Sequence, residues 1–101
     1  MKKLVFFTRV RVNGAESAIR VAGYTDGIFN YYKDRFGRWF AICPRVGLAI
    51  IPGLRVSAPY TRKAAQAEAF DCMEDINKWL DEHSERQTAV FQELIKNVDA
   101  I

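Results

Sequence analysis

The chain has 101 residues, half of them apolar, which is enough for one hydrophobic core and too few for two, so residues 1–101 are expected to form a single domain. Its two cysteines lie far apart and form no CxxC pair, which argues against a disulfide framework or a zinc knuckle. The net charge of +3 combines a basic part, with 12 Lys and Arg against 3 Asp and Glu in residues 1–63, and an acidic part, with 3 against 9 in residues 64–101.

The N-terminal segment has the pattern of a β-strand. Residues 4–12, LVFFTRVRV, alternate in polarity and are rich in β-branched and aromatic side chains. The apolar run after the two lysines stops at Thr8, short of the roughly 7 to 15 apolar residues of a secretion-signal core. No later segment reaches the roughly 20 apolar residues that cross a bilayer. We therefore expect a cytoplasmic protein with no membrane partner.

Two β-hairpins are predicted next. Asn13-Gly14 supplies a turn and residues 18–24 a returning strand, for which a short helix is the alternative. Strands near residues 28–33 and 38–43 form the second hairpin, turning through residues 34–37. Pairing Lys33 with Arg38 places Tyr32 opposite Trp39, Tyr31 opposite Phe40 and Phe29 opposite Ile42. If helices cover one sheet face, one aromatic set is buried and the other is exposed or covered by a partner.

The pattern changes from strand to helix in the second half. Residues 47–51 are predicted as a last strand that closes at Pro52-Gly53. Residues 61–83 then have the period of an amphipathic helix, and Ser84 with Gln87 predicts the cap of a second helix. The predicted fold class is α+β, an antiparallel sheet of about five short strands followed by two C-terminal helices packed on one face. The basic β-rich part spans residues 1–60 and the acidic helical part residues 61–101.

Catalysis and cofactor binding find no support in the sequence. His83 is the only histidine, and it has no nucleophile motif nearby, so we expect a residue at a helix end. The spacing of potential ligands fits no metal site, and the glycines form neither a dinucleotide fingerprint nor a phosphate-binding loop. We therefore expect a non-enzymatic protein with no catalytic residue, no metal and no cofactor.

The second hairpin is the first candidate binding surface. Cations flank aromatic side chains there, as in several binders of single-stranded nucleic acid. The segment RFGRWFAI matches the RNA-recognition motif only loosely, and a solvated hairpin whose cations keep its edge unpaired is the alternative. The candidate residues are Tyr32, Lys33, Arg35, Phe36, Arg38 and Trp39.

A row of carboxylates on the predicted first helix is the second candidate surface. Its members are Glu68, Asp71, Glu74, Asp75, Asp81 and Glu82. Such rows are usually solvated, but two pairs of charges oppose the helix dipole. They are Arg62 and Lys63 at the predicted N-terminus and Asp81 and Glu82 near the predicted C-terminus. We therefore hypothesise an external partner, with the carboxylates imitating phosphates or docking onto a basic groove. Phe70, outside the apolar arc, is either an anchor or packs under the second helix.

A strand with Trp39, a short strand after Pro44 and a helix opening Thr61-Arg62-Lys63-Ala64 give residues 36–80 their likeness to known proteins. The segment resembles small proteins encoded by phages and mobile elements, among them anti-CRISPR inhibitors, although Ala64 stands where such a helix often has an acidic residue. The resemblance implies a non-catalytic protein that acts in the host cytoplasm. It would cover a surface of a larger protein, for example one in a nucleic-acid-handling complex. The alternatives are single-stranded nucleic-acid binding by the basic half, and self-association, including a homodimer through the sheet edge.

Overall fold

Five strands and two helices make up the computed structural model, which describes residues 1–49 and 59–99. The strands are β1 (Lys2–Val12), β2 (Ala15–Thr25), β3 (Asn30–Lys33), β4 (Trp39–Cys43) and β5 (Leu48–Ala49), and the helices are α1 (Arg62–Asp71) and α2 (Met73–Asp99). The strands form one antiparallel sheet in chain order. The predicted α+β class, with two C-terminal helices on one sheet face, is confirmed. The predicted closure at Pro52-Gly53 lies outside the described residues.

The β1–β2 hairpin follows the prediction from Asn13-Gly14. Asn13 has φ 53° and Gly14 has φ 79°, the two positive values that a tight hairpin turn of the right twist requires. The pairing runs without interruption from Val12 opposite Ala15 to Lys2 opposite Thr25. The helix alternative for the returning segment is therefore wrong.

The β3–β4 hairpin has a register one residue away from the predicted one. Lys33 pairs with Trp39, Tyr32 with Phe40, Tyr31 with Ala41 and Asn30 with Ile42. The loop has three residues, because the Asp34 amide donates to the Arg38 carbonyl at 2.9 Å and Gly37 takes φ 82°. The Asp34 carboxylate also accepts the amides of Phe36 and Arg38. Tyr31 and Tyr32 lie on opposite sheet faces in either register, and the shift changes their cross-strand partners to Ala41 and Phe40.

The main core lies between the sheet and the helices. Its buried members are Phe29, Tyr31, Ala41, Cys43, Val46, Ala65, Ala69 and Ile76. Helix α1 packs on β3 and β4, and α2 packs on β2. The two alanines of α1 are four residues apart on one helical face, so the helix can approach the strands closely. We call this side of the sheet the helix face and the other side the opposite face.

The helices divide at Cys72 and not at Ser84. Cys72 leaves the helical region (φ −96°, ψ 6°), while α2 continues without a break from Met73 to Asp99. Residues 62–71 and 73–83 are helical as predicted, but one continuous helix over this range and a cap at Ser84 are wrong. A Ser-x-x-Gln pattern caps a helix only where the backbone enters one, and here Gln87 instead accepts a hydrogen bond from Arg9.

The sheet bends until β1 meets the turn between β4 and β5. The Gly47 carbonyl accepts the Arg9 amide at 2.9 Å and the Thr8 hydroxyl at 3.2 Å. Gly47 has φ 70°, and a Cβ at this position would overlap the Phe91 ring of α2. Only glycine therefore fits between the strand and the helix at this point.

The bend also buries part of the second set of aromatic side chains, Tyr32 and Phe40. Tyr32 and Phe40 lie on the opposite face, with their rings stacked at 5.5 Å, and Phe6 of β1 meets Tyr32 edge-on at 6.3 Å. Both Tyr32 and Phe40 are half-buried. The expectation that this set is exposed or covered by a partner is therefore wrong in part, because the first strand of the same sheet packs against it.

Candidate functional site

The structure divides the six candidate hairpin residues between two grooves. Tyr32, Lys33, Arg35 and Phe36 line a groove on the opposite face of the sheet. Trp39 lines a second groove at the start of α1, and Arg38 stacks on Tyr60, which lines the same groove. The sequence could not separate them, because the separation depends on the register of the hairpin and on where α1 begins.

The first groove, which we call the sheet groove, is mainly apolar and encloses about 680 Å³. Its apolar lining comes from both hairpins and consists of Val10, Val12, Ile19, Val21, Ala22, Tyr32 and Phe36. Phe36 is 71% exposed, Val12 58% and Ile19 39%. Lys33 and Arg35 are exposed beside them. Large apolar side chains grouped in this way on a small protein are typical of an interaction surface.

Phe36 is held at the tip of the hairpin by its turn. The Asp34 carboxylate accepts the Phe36 amide at 2.8 Å and the Arg38 amide at 3.0 Å, so the backbone of the tip is fixed from within. The Arg35 guanidinium lies 4.9 Å from the centre of the Phe36 ring. The tip thus presents an aromatic ring and a cation as one unit.

The second groove, which we call the α1 groove, combines aromatic rings with cations. Its lining includes Tyr24, Trp39, Tyr60, Arg62, Lys63 and Gln66. The Arg62 guanidinium lies 4.3 Å from the centre of the Tyr24 ring, and the rings of Tyr24 and Trp39 are 6.1 Å apart. Arg62 at the start of α1, unfavourable for the helix dipole, therefore has a stacking partner within the chain.

The six candidate carboxylates do not form one row on one helix. Glu68 and Asp71 belong to α1, and the other four to α2, with the break at Cys72 between them. Glu68 is half-buried and the rest are exposed. Asp81 and Glu82 lie in the interior of α2 rather than near a C-terminus, so the argument from the helix dipole is wrong for them.

Arg9 is a buried cation that the sequence analysis did not single out. Its side chain is 5% exposed and forms an ion pair with Glu16 at 2.6 Å. Its Nη1 donates to the Gln87 Oε1 at 2.8 Å and also bonds the Val46 carbonyl at 3.4 Å. The side chain thereby links β1, β2 and α2. The sequence does not distinguish Arg9 from the other cations of β1, such as Arg11, because its burial depends on the contact with α2.

Asp26 forms a second polar network, between the β2–β3 turn and α1. Its Oδ1 accepts the amides of Ile28 and Phe29, and its Oδ2 accepts the Tyr31 hydroxyl at 2.6 Å and the Gln66 amide at 3.1 Å. Burial raises the pKa of Asp26, but these hydrogen bonds outweigh it and lower the pKa below its ordinary value. Burial and then the bond to Asp26 raise the pKa of Tyr31. The network joins three elements of the fold, and an Asp-Gly turn was its only sequence signal.

His83, Cys43 and Phe70 are the other side chains of interest, and each packs against or is buried by the rest of the fold. His83 lies in α2, not at a helix end as expected, and its ring is 4.9 Å from that of Trp79. Burial raises the pKa of the Cys43 thiol to about 11, which makes it a poor nucleophile near neutral pH. Phe70 meets Phe29 edge-on at 5.9 Å, so it packs at the border of the core.

Across residues 1–49 and 59–99, no group of three or more His, Cys, Asp or Glu is placed to hold a metal ion. Neither helix, over the part that the structure describes, has the length and apolar character needed to cross a membrane.

Comparison of the chain with protein-family models, with curated proteins and with solved structures found no match. The class that the structure defines is thus architectural, a five-stranded antiparallel sheet with two C-terminal helices on one face. Function is therefore inferred from the two grooves and the chemistry of the residues that line them.

Proposed function

We propose that the chain is a small non-catalytic module that binds a larger protein through the sheet groove. The observation that carries the proposal is the exposure of Phe36, Val12 and Ile19 around one groove. Burying an exposed apolar side chain of this size contributes about 1.5 to 3 kcal/mol. A partner that covers all three side chains therefore gains more binding free energy than one that covers a single side chain.

The polar rim of the sheet groove defines the chemistry of the partner. Lys33 and Arg35 are exposed beside the apolar lining, and Arg35 already stacks on Phe36. Aromatic and arginine side chains dominate the binding energy of most protein interfaces. The partner segment should thus carry an apolar side chain for the groove and carboxylates for the rim.

We place this binding in the cytoplasm and expect it to block a surface of the partner. Cys43 and Cys72 are free thiols, which supports a reducing compartment such as the cytoplasm. Binding through the sheet groove would occlude the surface of the partner, as an inhibitor of the kind implied by the resemblance of residues 36–80 would do. The acidic helices are the weaker route, because their carboxylates are divided between α1 and α2.

The test is capture of a partner from a lysate of the producing cells by the tagged chain and by two phenylalanine variants. Phe36→Ala removes the exposed ring of the sheet groove, and Phe70→Ala is the matched control, since Phe70 is also partly exposed, on α1. We expect a protein that the wild type and Phe70→Ala retain and Phe36→Ala loses, with the folded state of each variant checked by circular dichroism.

A third variant tests the acidic alternative. It replaces Asp71, Asp75 and Glu82 with their amides, and we expect it to retain the same protein. Loss of the protein by this variant, equal retention by Phe36→Ala, or retention of no protein by the wild type would each contradict binding through the sheet groove.

A further inference from the structure

The α1 groove is a second candidate binding site, separate from the sheet groove. It lies on the helix side of the sheet, since Tyr24 pairs with Tyr31 of the buried core. Three aromatic side chains converge there from three parts of the chain, namely Tyr24 from β2, Trp39 from β4 and Tyr60 from the segment before α1. Tyr60 is 66% exposed, while the other two are half-buried. The groove therefore offers ring surface at its floor and at its mouth.

Cations surround these rings. Arg62 lies over Tyr24 at 4.3 Å, Lys63 lines the same groove, and Lys3 is the cross-strand partner of Tyr24 on β1. Lys3 and Lys63 are both exposed. Cross-strand partners project to the same sheet face, so Lys3 lies on the same face as Tyr24, next to the α1 groove and outside its lining. The Asp26 carboxylate, which accepts a hydrogen bond from Gln66 of the groove, accepts four hydrogen bonds in all.

We propose that the α1 groove binds single-stranded nucleic acid. Bases would stack on the aromatic rings and on the Arg62 guanidinium, since single-strand binders use both kinds of planar group. Phosphates would lie against Lys3 and Lys63. The presence of both aromatic rings and cations favours nucleic acid over an acidic peptide. An acidic peptide would pair with the cations, but its carboxylates would not stack on the three rings.

The proposal differs from the prediction that the aromatic hairpin itself binds nucleic acid. Phe36 and Arg35, at the hairpin tip, line the sheet groove on the other face. Only Trp39, among the six hairpin candidates, lines the α1 groove. Binding of a protein at one face and of a nucleic acid at the other would suit a module that acts on a nucleic-acid-handling complex.

The test measures binding of a fluorescein-labelled oligothymidylate to the whole chain by fluorescence anisotropy. We expect affinity to fall as salt rises, with a slope of roughly −1.4 to −2.1 in log K against log salt, as for two or three phosphate contacts on a single strand. Tyr60→Ala should weaken binding roughly 10-fold to 100-fold through the loss of one stacked base. Absence of binding at low salt would overturn the proposal.

Two matched controls separate the groove from general charge. Lys63→Glu and Arg45→Glu change the net charge equally, but Arg45 follows the far end of β4 from Trp39. We expect Lys63→Glu to weaken binding several times more than Arg45→Glu. Equal effects of the two, no effect of Tyr60→Ala, or displacement of the oligonucleotide by polyglutamate as readily as by unlabelled oligothymidylate would contradict the site.

The variant Phe36→Ala distinguishes nucleic-acid binding at the α1 groove from protein binding at the sheet groove. Phe36→Ala should leave oligonucleotide affinity unchanged, because Phe36 lines the sheet groove. Weaker nucleic-acid binding by Phe36→Ala would move the site to the hairpin and overturn the assignment to the α1 groove. Failure of partner capture, in turn, leaves the anisotropy result standing, since the oligonucleotide is supplied as a pure probe.

Discussion

The two faces of the sheet are built from similar side chains and end in different environments. On the helix face, Phe29 is 2% exposed and Tyr31 is fully buried under the helices. On the opposite face, Phe36 is 71% exposed and Val12 58%. The opposite face also buries side chains near β1, such as Phe6, so the exposed groove at the hairpin tip is the part of this face that is available to a partner. The identity of an apolar residue alone does not decide whether it stabilises the fold or is available to a partner.

The largest expected effect is on the helix face. Phe29→Ala removes a ring that packs edge-on against Tyr31 and Phe70, and the cavity it leaves should lower the free energy of unfolding by about 3 to 5 kcal/mol. Urea denaturation followed by tryptophan fluorescence measures the change. A loss below about 1 kcal/mol would mean that Phe29 is not part of a close-packed core.

A smaller loss is expected for the buried cation that joins the sheet to α2. Arg9→Leu leaves Glu16 and Gln87 without their guanidinium partner and should lower the free energy of unfolding by about 1 to 3 kcal/mol. The matched control is Arg20→Leu, which removes an exposed arginine of β2 and should change stability by no more than about 0.5 kcal/mol. Equal losses in the two variants would show that the network around Arg9 contributes little.

The Asp26 network should make the helix face sensitive to acid. Because folding lowers the pKa of Asp26 below its ordinary value of 3.8, its contribution is present above that value and is lost as pH falls through the folded pKa. The free energy of unfolding of the wild type should therefore decline below about pH 5. Asp26→Asn should flatten this decline.

The control for the acid effect is Asp75→Asn, which removes an exposed carboxylate of α2. We expect its pH profile to follow that of the wild type. Denaturation series between neutral pH and pH 3 give both profiles. A wild-type curve with the same slope as that of Asp26→Asn would contradict the assignment.

The smallest stability effect is expected on the opposite face. Phe36→Ala removes a ring that is 71% exposed, so the free energy of unfolding should change by no more than about 0.5 kcal/mol. Set beside Phe29→Ala, it compares the same substitution on the two faces of the sheet. A loss above about 2 kcal/mol would show that the ring supports the fold and weaken its role in binding.

Elements with strong local signals could be predicted from the sequence. Asn13-Gly14 specified its turn, and the change of period after Thr61 specified helix. The β3–β4 register was missed by one residue, because residues 34–37 allow a loop of three or of four residues. The break at Cys72 separates a helix that packs on β3 and β4 from one that packs on β2, and no glycine or proline marks it in the sequence.

The candidate sites were predictable only in part for a related reason. Phe36 and its neighbours are visible in the sequence as an aromatic and basic hairpin. Val12 and Ile19 join them in the sheet groove only through the pairing of β1 with β2 and of β2 with β3. Tyr24 and Tyr60 likewise meet only once α1 is placed against the sheet.

The bond between Arg9 and Gln87 also bears on how the chain is made. The two residues are 78 positions apart, so the first hairpin leaves the ribosome long before its partner in α2 exists. At about 5 to 20 residues per second, the delay is roughly 4 to 16 s. Glu16 follows Arg9 within the same hairpin, so the ion pair can form early, whereas the bond that ties this hairpin to α2 has to wait for Gln87.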